Sequence, residues 1–125
     1  PLDDIQAKIS KDDLVEIQNY LGNVFISDMV LEYIVNLCER TRELEMVELG
    51  VSPRGVLALS RMSRACAIMR ERDFVVPEEV FHAVCAHRLM LKPQARIESI
   101  SANDILDRVL EEVPAPSMDK AYGRA

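Results

Sequence analysis

No apolar run in the sequence approaches the roughly 18–20 residues that span a bilayer. The acidic opening Pro1-Leu2-Asp3-Asp4 also lacks the basic start of a signal peptide. No membrane partner is therefore expected, and a cytoplasmic location is. A phosphate loop of the G-x-x-x-x-G-K-[ST] kind is missing too, since the four glycines, Gly22, Gly50, Gly55 and Gly123, are scattered. The chain alone is not expected to cradle and hydrolyse a nucleotide. Positive charge is scarce: 15 Lys and Arg stand against 21 Asp and Glu, a net charge of −6. That balance opposes a phosphate backbone, whose binding relies on clustered cations, so no nucleic-acid partner is expected.

The chemistry of a self-sufficient enzyme is equally thin. His82 and His87 are separated by about 140° around a helix at 3.6 residues per turn, so they do not converge on one metal. Adjacent acids such as Glu78-Glu79 and Glu111-Glu112 point in different directions on a helix and form no catalytic dyad. The three cysteines, Cys38, Cys66 and Cys85, are odd in number, widely spaced and set in apolar helical patterns, which reads as reduced core thiols. Neither a catalytic group nor a metal site is expected in this chain.

What is present is the composition of one folded domain. The 125 residues are 49% hydrophobic and 29% charged, with no internal repeat and no low-complexity tract. A start at Pro1 without an initiator methionine suggests a piece of a longer polypeptide.

The pattern is helical almost throughout. Ser10-Lys11-Asp12-Asp13 offers a serine cap with acids in the first turn, and Leu14, Ile17 and Leu21 follow at helical steps up to Gly22. Ser27-Asp28 opens a second helix with Val30, Ile34, Leu37, Cys38 and Thr41 on one face, ending near Leu44. Ser52-Pro53 opens a third and longest helix to about Glu71. Its expected core stripe is Leu59, Met62, Cys66 and Met69. Pro77-Glu78-Glu79 starts a fourth helix with Val80, Phe81 and Val84, and Ser101, with Asp104 as a capping partner, starts a last one. Periodicity breaks over Leu89–Pro93, and 95–100 reads as extended or irregular.

The expected fold is accordingly a mainly all-α bundle of about five helices. Two short β-prone runs, 24–26 and 74–76, are candidates for a tiny parallel ladder. A domain over 1–116 is expected, followed by a flexible tail over 117–125.

Arg54 is the residue whose placement needs explaining. In the first turn of a helix the dipole and the free N–H groups favour an anion, so local stability prefers an acid there. An arginine beside exposed backbone donors suits a phosphate oxygen, with a forked guanidinium for bidentate contact. Pairing with a nearby surface carboxylate is the other reading, and the position alone leaves both open. Arg61 and Arg72 share its face in projection but lie roughly 10 Å and 27 Å along the axis. Only Arg54, with Arg61 as its one near companion, could address a single ligand.

These residues fall in a recognisable order: Ser27-Asp28-x-Val30-Leu31-x-Tyr33-Ile34-Val35, Thr41-Arg42, Leu49-Gly50-Val51-Ser52-Pro53-Arg54, Arg72-Asp73-Phe74-Val75-x-Pro77-Glu78-Glu79-Val80, and His87-Arg88-Leu89. Over about residues 1–116 the chain resembles the C-terminal lid domain of MoxR-type AAA+ ATPases. Val76 departs from the family, which commonly has a Thr before this proline. The resemblance implies that Arg54 is the sensor-2 arginine, reaching toward the terminal phosphates of ATP. Ser52, Pro53 and Gly55 then support the helix start. It further implies a core domain of the same polypeptide holding the phosphate loop and Mg2+, ATP hydrolysis in the intact protein, and a homo-oligomeric ring, usually hexameric. Chaperone-like remodelling with a von Willebrand factor A-domain partner goes with it. The alternative is a self-contained helical interaction module, histone-fold-like, without nucleotide binding.

Overall fold

Helix α1 covers Lys11–Tyr20, and its start is fixed by a reciprocal cap. Ser10 Oγ accepts the Asp13 N–H at 3.0 Å and the Asp13 carboxylate accepts the Ser10 N–H at 3.1 Å. The Ser10 N–H holds that carboxyl below its usual range, with the hydroxyl contact adding to it. The expected last turn tightens into a 3-10 turn over Leu21–Asn23. Although α1 has apolar residues at helical spacing, none of them is buried: Leu14, Val15 and Ile17 are each over 40% exposed. The computed structural model describes residues 1–117. Apart from Ser117, the tail expected over 117–125 lies outside the described residues.

Helix α2, Asp28–Glu43, starts on Ser27, whose Oγ accepts the Val30 N–H at 3.2 Å. It buries Val30, Ile34, Leu37, Cys38 and Thr41 along one face, as the periodicity predicts, and Tyr33 beside them. Strand β1, Val47–Leu49, follows, and α3 spans Pro53–Met69. Helix α4 is Glu78–Cys85, continued by a 3-10 turn over Ala86–Arg88 into strand β2, Met90–Leu91. The short α5, Pro93–Ile97, and α6, Ala102–Glu112, complete the described residues. Ser101 and Asp104 cap α6 reciprocally at 3.1 and 2.9 Å, the box expected there.

The core lies where α3 packs against α2 and α4 while α6 closes on α2 and α4 from another side. Phe81, Ile34, Leu37, Leu59 and Leu106 are its largest fully buried side chains. The mainly helical class therefore stands. Among the described residues, no single helix is long and apolar enough to cross a membrane.

Three details differ from expectation, each for a physical reason. The parallel ladder between 24–26 and 74–76 does not form. Val24, Ile26 and Val75 bury their side chains, but the Val24 carbonyl accepts from Arg64 Nε at 3.2 Å rather than from a strand. The two-stranded sheet is instead antiparallel, β1 with β2, pairing Val47 with Leu91 and Leu49 with Met90 across an irregularity.

The buried face of α3 is also not the expected one. Gly55, Leu59, Ser63 and Ala67 face inward, while Met62 is 47% and Met69 83% exposed and Cys66 is half-buried. Small residues at four-residue spacing let α3 approach its neighbours closely, and Ser63 satisfies its buried hydroxyl by donating to the Leu59 carbonyl at 2.7 Å.

Finally, part of the segment expected to be extended over 95–100 is α5. It ends on Ser99 in the left-handed region at φ 58°, with the Ile100 N–H returning to the Ala95 carbonyl at 2.8 Å. A helix this short, closed by serine where glycine is usual, carries no strong stop signal.

Candidate functional site: the start of helix α3

The α3 start is built from the sequence pair singled out above. Ser52 is extended at φ −76°, ψ 168°, and its Oγ accepts the Gly55 N–H at 3.4 Å. Pro53 takes the first helical position, where its missing N–H costs nothing. Arg54 follows with its side chain exposed, and no acid occurs in this first turn. Among the described residues, Arg54 makes neither an ion pair nor a side-chain hydrogen bond. No carboxylate among the described residues meets it.

The layer beneath the site is dense. A Cβ on Gly55 would stand 2.3 Å from Val51 Cγ1 and 3.3 Å from Arg88 Cδ, so only glycine fits. Arg88 thus lays its aliphatic stem against the first turn of α3, with its Nε donating to the Val84 carbonyl at 3.1 Å. Val51 is fully buried, and its backbone is gripped by the end of α2. Thr41 Oγ1 accepts the Val51 N–H at 2.9 Å, and Arg42 Nε donates to the Val51 carbonyl at 2.9 Å. Ser52, Pro53, Arg54 and Gly55 thus come together at one helix start, and Thr41, Arg42 and Arg88 join them from α2 and from the turn after α4.

The other cations of the face do not join. Arg61 is exposed one stretch along α3. Arg72, at the far end, pairs with Glu79 and stands 5.2 Å over the Phe74 ring, while Arg70 reaches the same carboxylate at 3.7 Å. The Arg72 guanidinium holds the Glu79 carboxyl below its ordinary range against the opposing effect of burial. Cys66 also donates its thiol to Glu79 at 3.4 Å, so it sits at this rim rather than in the core.

The histidines stay apart. His82 Nε2 is 2.7 Å from Asp107 Oδ1, bridging α4 to α6, and His87 is exposed. No group of three or more His, Cys, Asp or Glu among the described residues is placed to hold a metal. Cys38 and Cys85 are buried free thiols. The hydrogen bond to Cys85, together with burial, pushes the Cys38 thiol well above its ordinary value. The same bond holds the Cys85 thiol below its ordinary value against burial, so only the Cys38 shift argues against a nucleophile.

The chain is similar to known proteins over most of its length. The family model of the AAA lid domain matches residues 39–109. The uncharacterized protein YeaC of Bacillus subtilis is 35% identical over 119 residues, covering 93% of this chain and 37% of its own length. The chaperone MoxR1 of Mycobacterium tuberculosis is 32% identical over 128 residues, with 91% of this chain and 34% of that protein covered. The crystal structure of "a putative ATPase" from Cytophaga hutchinsonii superposes with a TM-score of 0.82 at 32% identity, over 90% of this chain and 38% of that one. The chain thus spans little more than a third of the length of these relatives. The matched segment contains α3 and the residues that brace its start, Thr41, Arg42 and Arg88, and the chain belongs to the AAA lid domain family, in its MoxR-type branch.

Proposed function

We propose that this lid senses the nucleotide of a MoxR-type AAA+ ATPase and that Arg54 is its phosphate contact. One observation carries the reading: an exposed arginine, without an ionic partner among the described residues, projects from the first turn of a helix whose N–H groups and dipole also favour an anion. A cation kept there against local stability has its natural partner in an anionic ligand. The guanidinium fork offers two parallel hydrogen bonds to terminal phosphate oxygens. Ser52 and Pro53 fix the helix start, and Gly55 lets it sit down on Val51.

The start of α3 fits the phosphates of ATP, and on this reading Mg2+ falls to a core domain of the same polypeptide. In that arrangement the nucleotide lies between core and lid, Arg54 stabilises charge as it shifts on the phosphates, and the lid moves as a body. This chain alone binds ATP weakly at best. The intact protein, on the same reading, is a cytoplasmic ATP hydrolase assembling into a homo-oligomeric ring, usually a hexamer. It remodels other proteins in chaperone fashion beside a von Willebrand factor A-domain protein. Apolar residues left exposed along α1 suit contact with such a core.

The test joins the chain to its core and compares Arg54→Ala with the parent. The expected result is a turnover lowered about a hundredfold or more, with weaker binding of a fluorescent ATP analogue. Parent-like turnover together with parent-like affinity would overturn the assignment.

A further inference from the structure

We infer that Thr41 and Arg42 are positioning residues for Arg54, acting through the backbone of Val51. The inference rests on the reading of Arg54 as the phosphate contact and adds the device that aims it.

Val51 stands in the gap between β1, which ends at Leu49, and α3, which begins at Pro53. It is fully buried, so water does not reach its backbone, and no strand or helix takes its polar groups. Two consecutive side chains from the last turn of α2 take them instead. The Thr41 hydroxyl donates its one proton to the Cys38 carbonyl at 2.6 Å, which leaves a lone pair to accept the Val51 N–H at 2.9 Å. Arg42 Nε donates to the Val51 carbonyl at 2.9 Å. Both faces of a single peptide residue are therefore specified by α2.

Steric contact supports the grip from either side. A Cβ on Gly50 would stand 2.5 Å from Arg42 Cγ, 2.7 Å from its N and 2.8 Å from its Cα, so the strap lies flat on α2 at this point. Above it, the Val51 side chain fills the space that Gly55 leaves open. Held below by Thr41 and Arg42 and above by the first turn of α3, Val51 leaves Ser52 and Arg54 little freedom to drift. The anchor itself is tied down, because Arg40 of α2 bonds Glu112 of α6 at 2.7 Å. The clamp thus fixes the origin of Arg54 to α2 and α6, so that displacement of the lid is displacement of the guanidinium.

The geometry separates the two residues. Thr41 is buried and commits its hydroxyl entirely, whereas Arg42 is an exposed residue that lends one N–H inward. Thr41→Val keeps shape and removes the acceptor. Arg42→Lys keeps charge and removes the planar donor, at a position where folding is not threatened.

The experiment is a double-mutant cycle in the full-length protein, reading affinity for a fluorescent ATP analogue and turnover. Amide exchange of Val51 is followed in parallel in the 125-residue chain. Thr41→Val and Arg42→Lys are each expected to weaken nucleotide binding and turnover about tenfold or more, since small misplacements of a contacting group carry large costs. Each is also expected to speed Val51 exchange while Ile34 in the α2 core keeps its protection. In an Arg54→Ala background neither substitution causes a further loss, because the group they aim is gone. A merely structural role predicts losses that multiply in that background, and this result overturns the inference. So does wild-type affinity in both single variants. If Arg54→Ala alone is silent, the phosphate reading fails first, and the clamp's functional role falls with it.

Discussion

At its start, α3 presents Arg54 to solvent with no ionic partner among the described residues; at its end, Arg70 and Arg72 share the carboxylate of Glu79 and Arg72 covers Phe74. The same residue type is thus left free at one end of a single helix and absorbed into the fold at the other. The backbone follows the same division. The start is a regular cap on Ser52 with Pro53 behind it, whereas the end turns through Glu71 in the left-handed region at φ 55°, with the Arg72 N–H returning to the Ala67 carbonyl at 2.9 Å. Arg70 and Arg72 find an acid, whereas Arg54, proposed above as the phosphate contact, meets none among the described residues.

The sharpest way to break this contrast is to disturb the start without touching Arg54. Gly55→Ala drives a methyl group to 2.3 Å from Val51 Cγ1. It is expected to cost about 1–3 kcal/mol by overpacking, measured by urea unfolding of the chain. A neutral result would mean that Val51 yields easily and that the start is less constrained than the end.

Next in size is Glu71→Gly at the opposite end. A non-glycine residue in the left-handed region carries a penalty of about 1 kcal/mol that glycine avoids. The variant should therefore unfold at higher denaturant, unless the glycine's extra freedom in the unfolded chain cancels the gain.

Acid sharpens the contrast by acting on one end only. Arg72 depresses the Glu79 carboxyl below its ordinary value of 4.5, so this pair contributes stability that is fully present above that pH. The contribution is lost as pH falls through the lower, folded value. The stability gap between wild type and Glu79→Gln should accordingly narrow below pH 4.5 and close under stronger acid, in parallel denaturation series. A gap independent of pH would remove Glu79 from the account. The effect is modest because the pair is partly solvated.

Smallest of all is Arg54→Ala. Removing a cation from the positive end of a helix dipole should leave stability within about 0.5 kcal/mol of wild type, on the favourable side. A clear loss on thermal unfolding would show that Arg54 serves the fold, and the two ends of α3 would no longer differ.

The sequence showed the starts of elements better than their interiors. Ser10, Ser27, Ser52 and Ser101 cap the helices expected of them, because a cap depends on a side chain and a backbone group three residues away. The inward face of α3 was hidden, since Gly55, Ser63 and Ala67 are buried for their small size while Met62 and Met69, which hydropathy favours, point outward. Pairing partners were hidden as well: Val24 and Ile26 of the β-prone run bury their side chains, yet Arg64 takes the Val24 carbonyl. At the site, Ser52-Pro53-Arg54 was legible as a local motif, but the brace on Val51 joins residues ten and nine positions apart through space. Thr41 did leave one trace, a small hydroxyl residue on a mostly apolar face of α2.

The small residues along α3 have a consequence for the entropy of folding. Gly55, Ser63 and Ala67 surrender almost no rotamer freedom when they are buried, and Leu59 is the one large side chain that this face must immobilise. The longest helix is thereby held in part by closeness of backbone, with Leu59 fully buried and Val56 and Ile68 packed at the margin. Such an element can be seated at little cost in disorder, and a larger side chain at any of those three positions would pry it away from its neighbours.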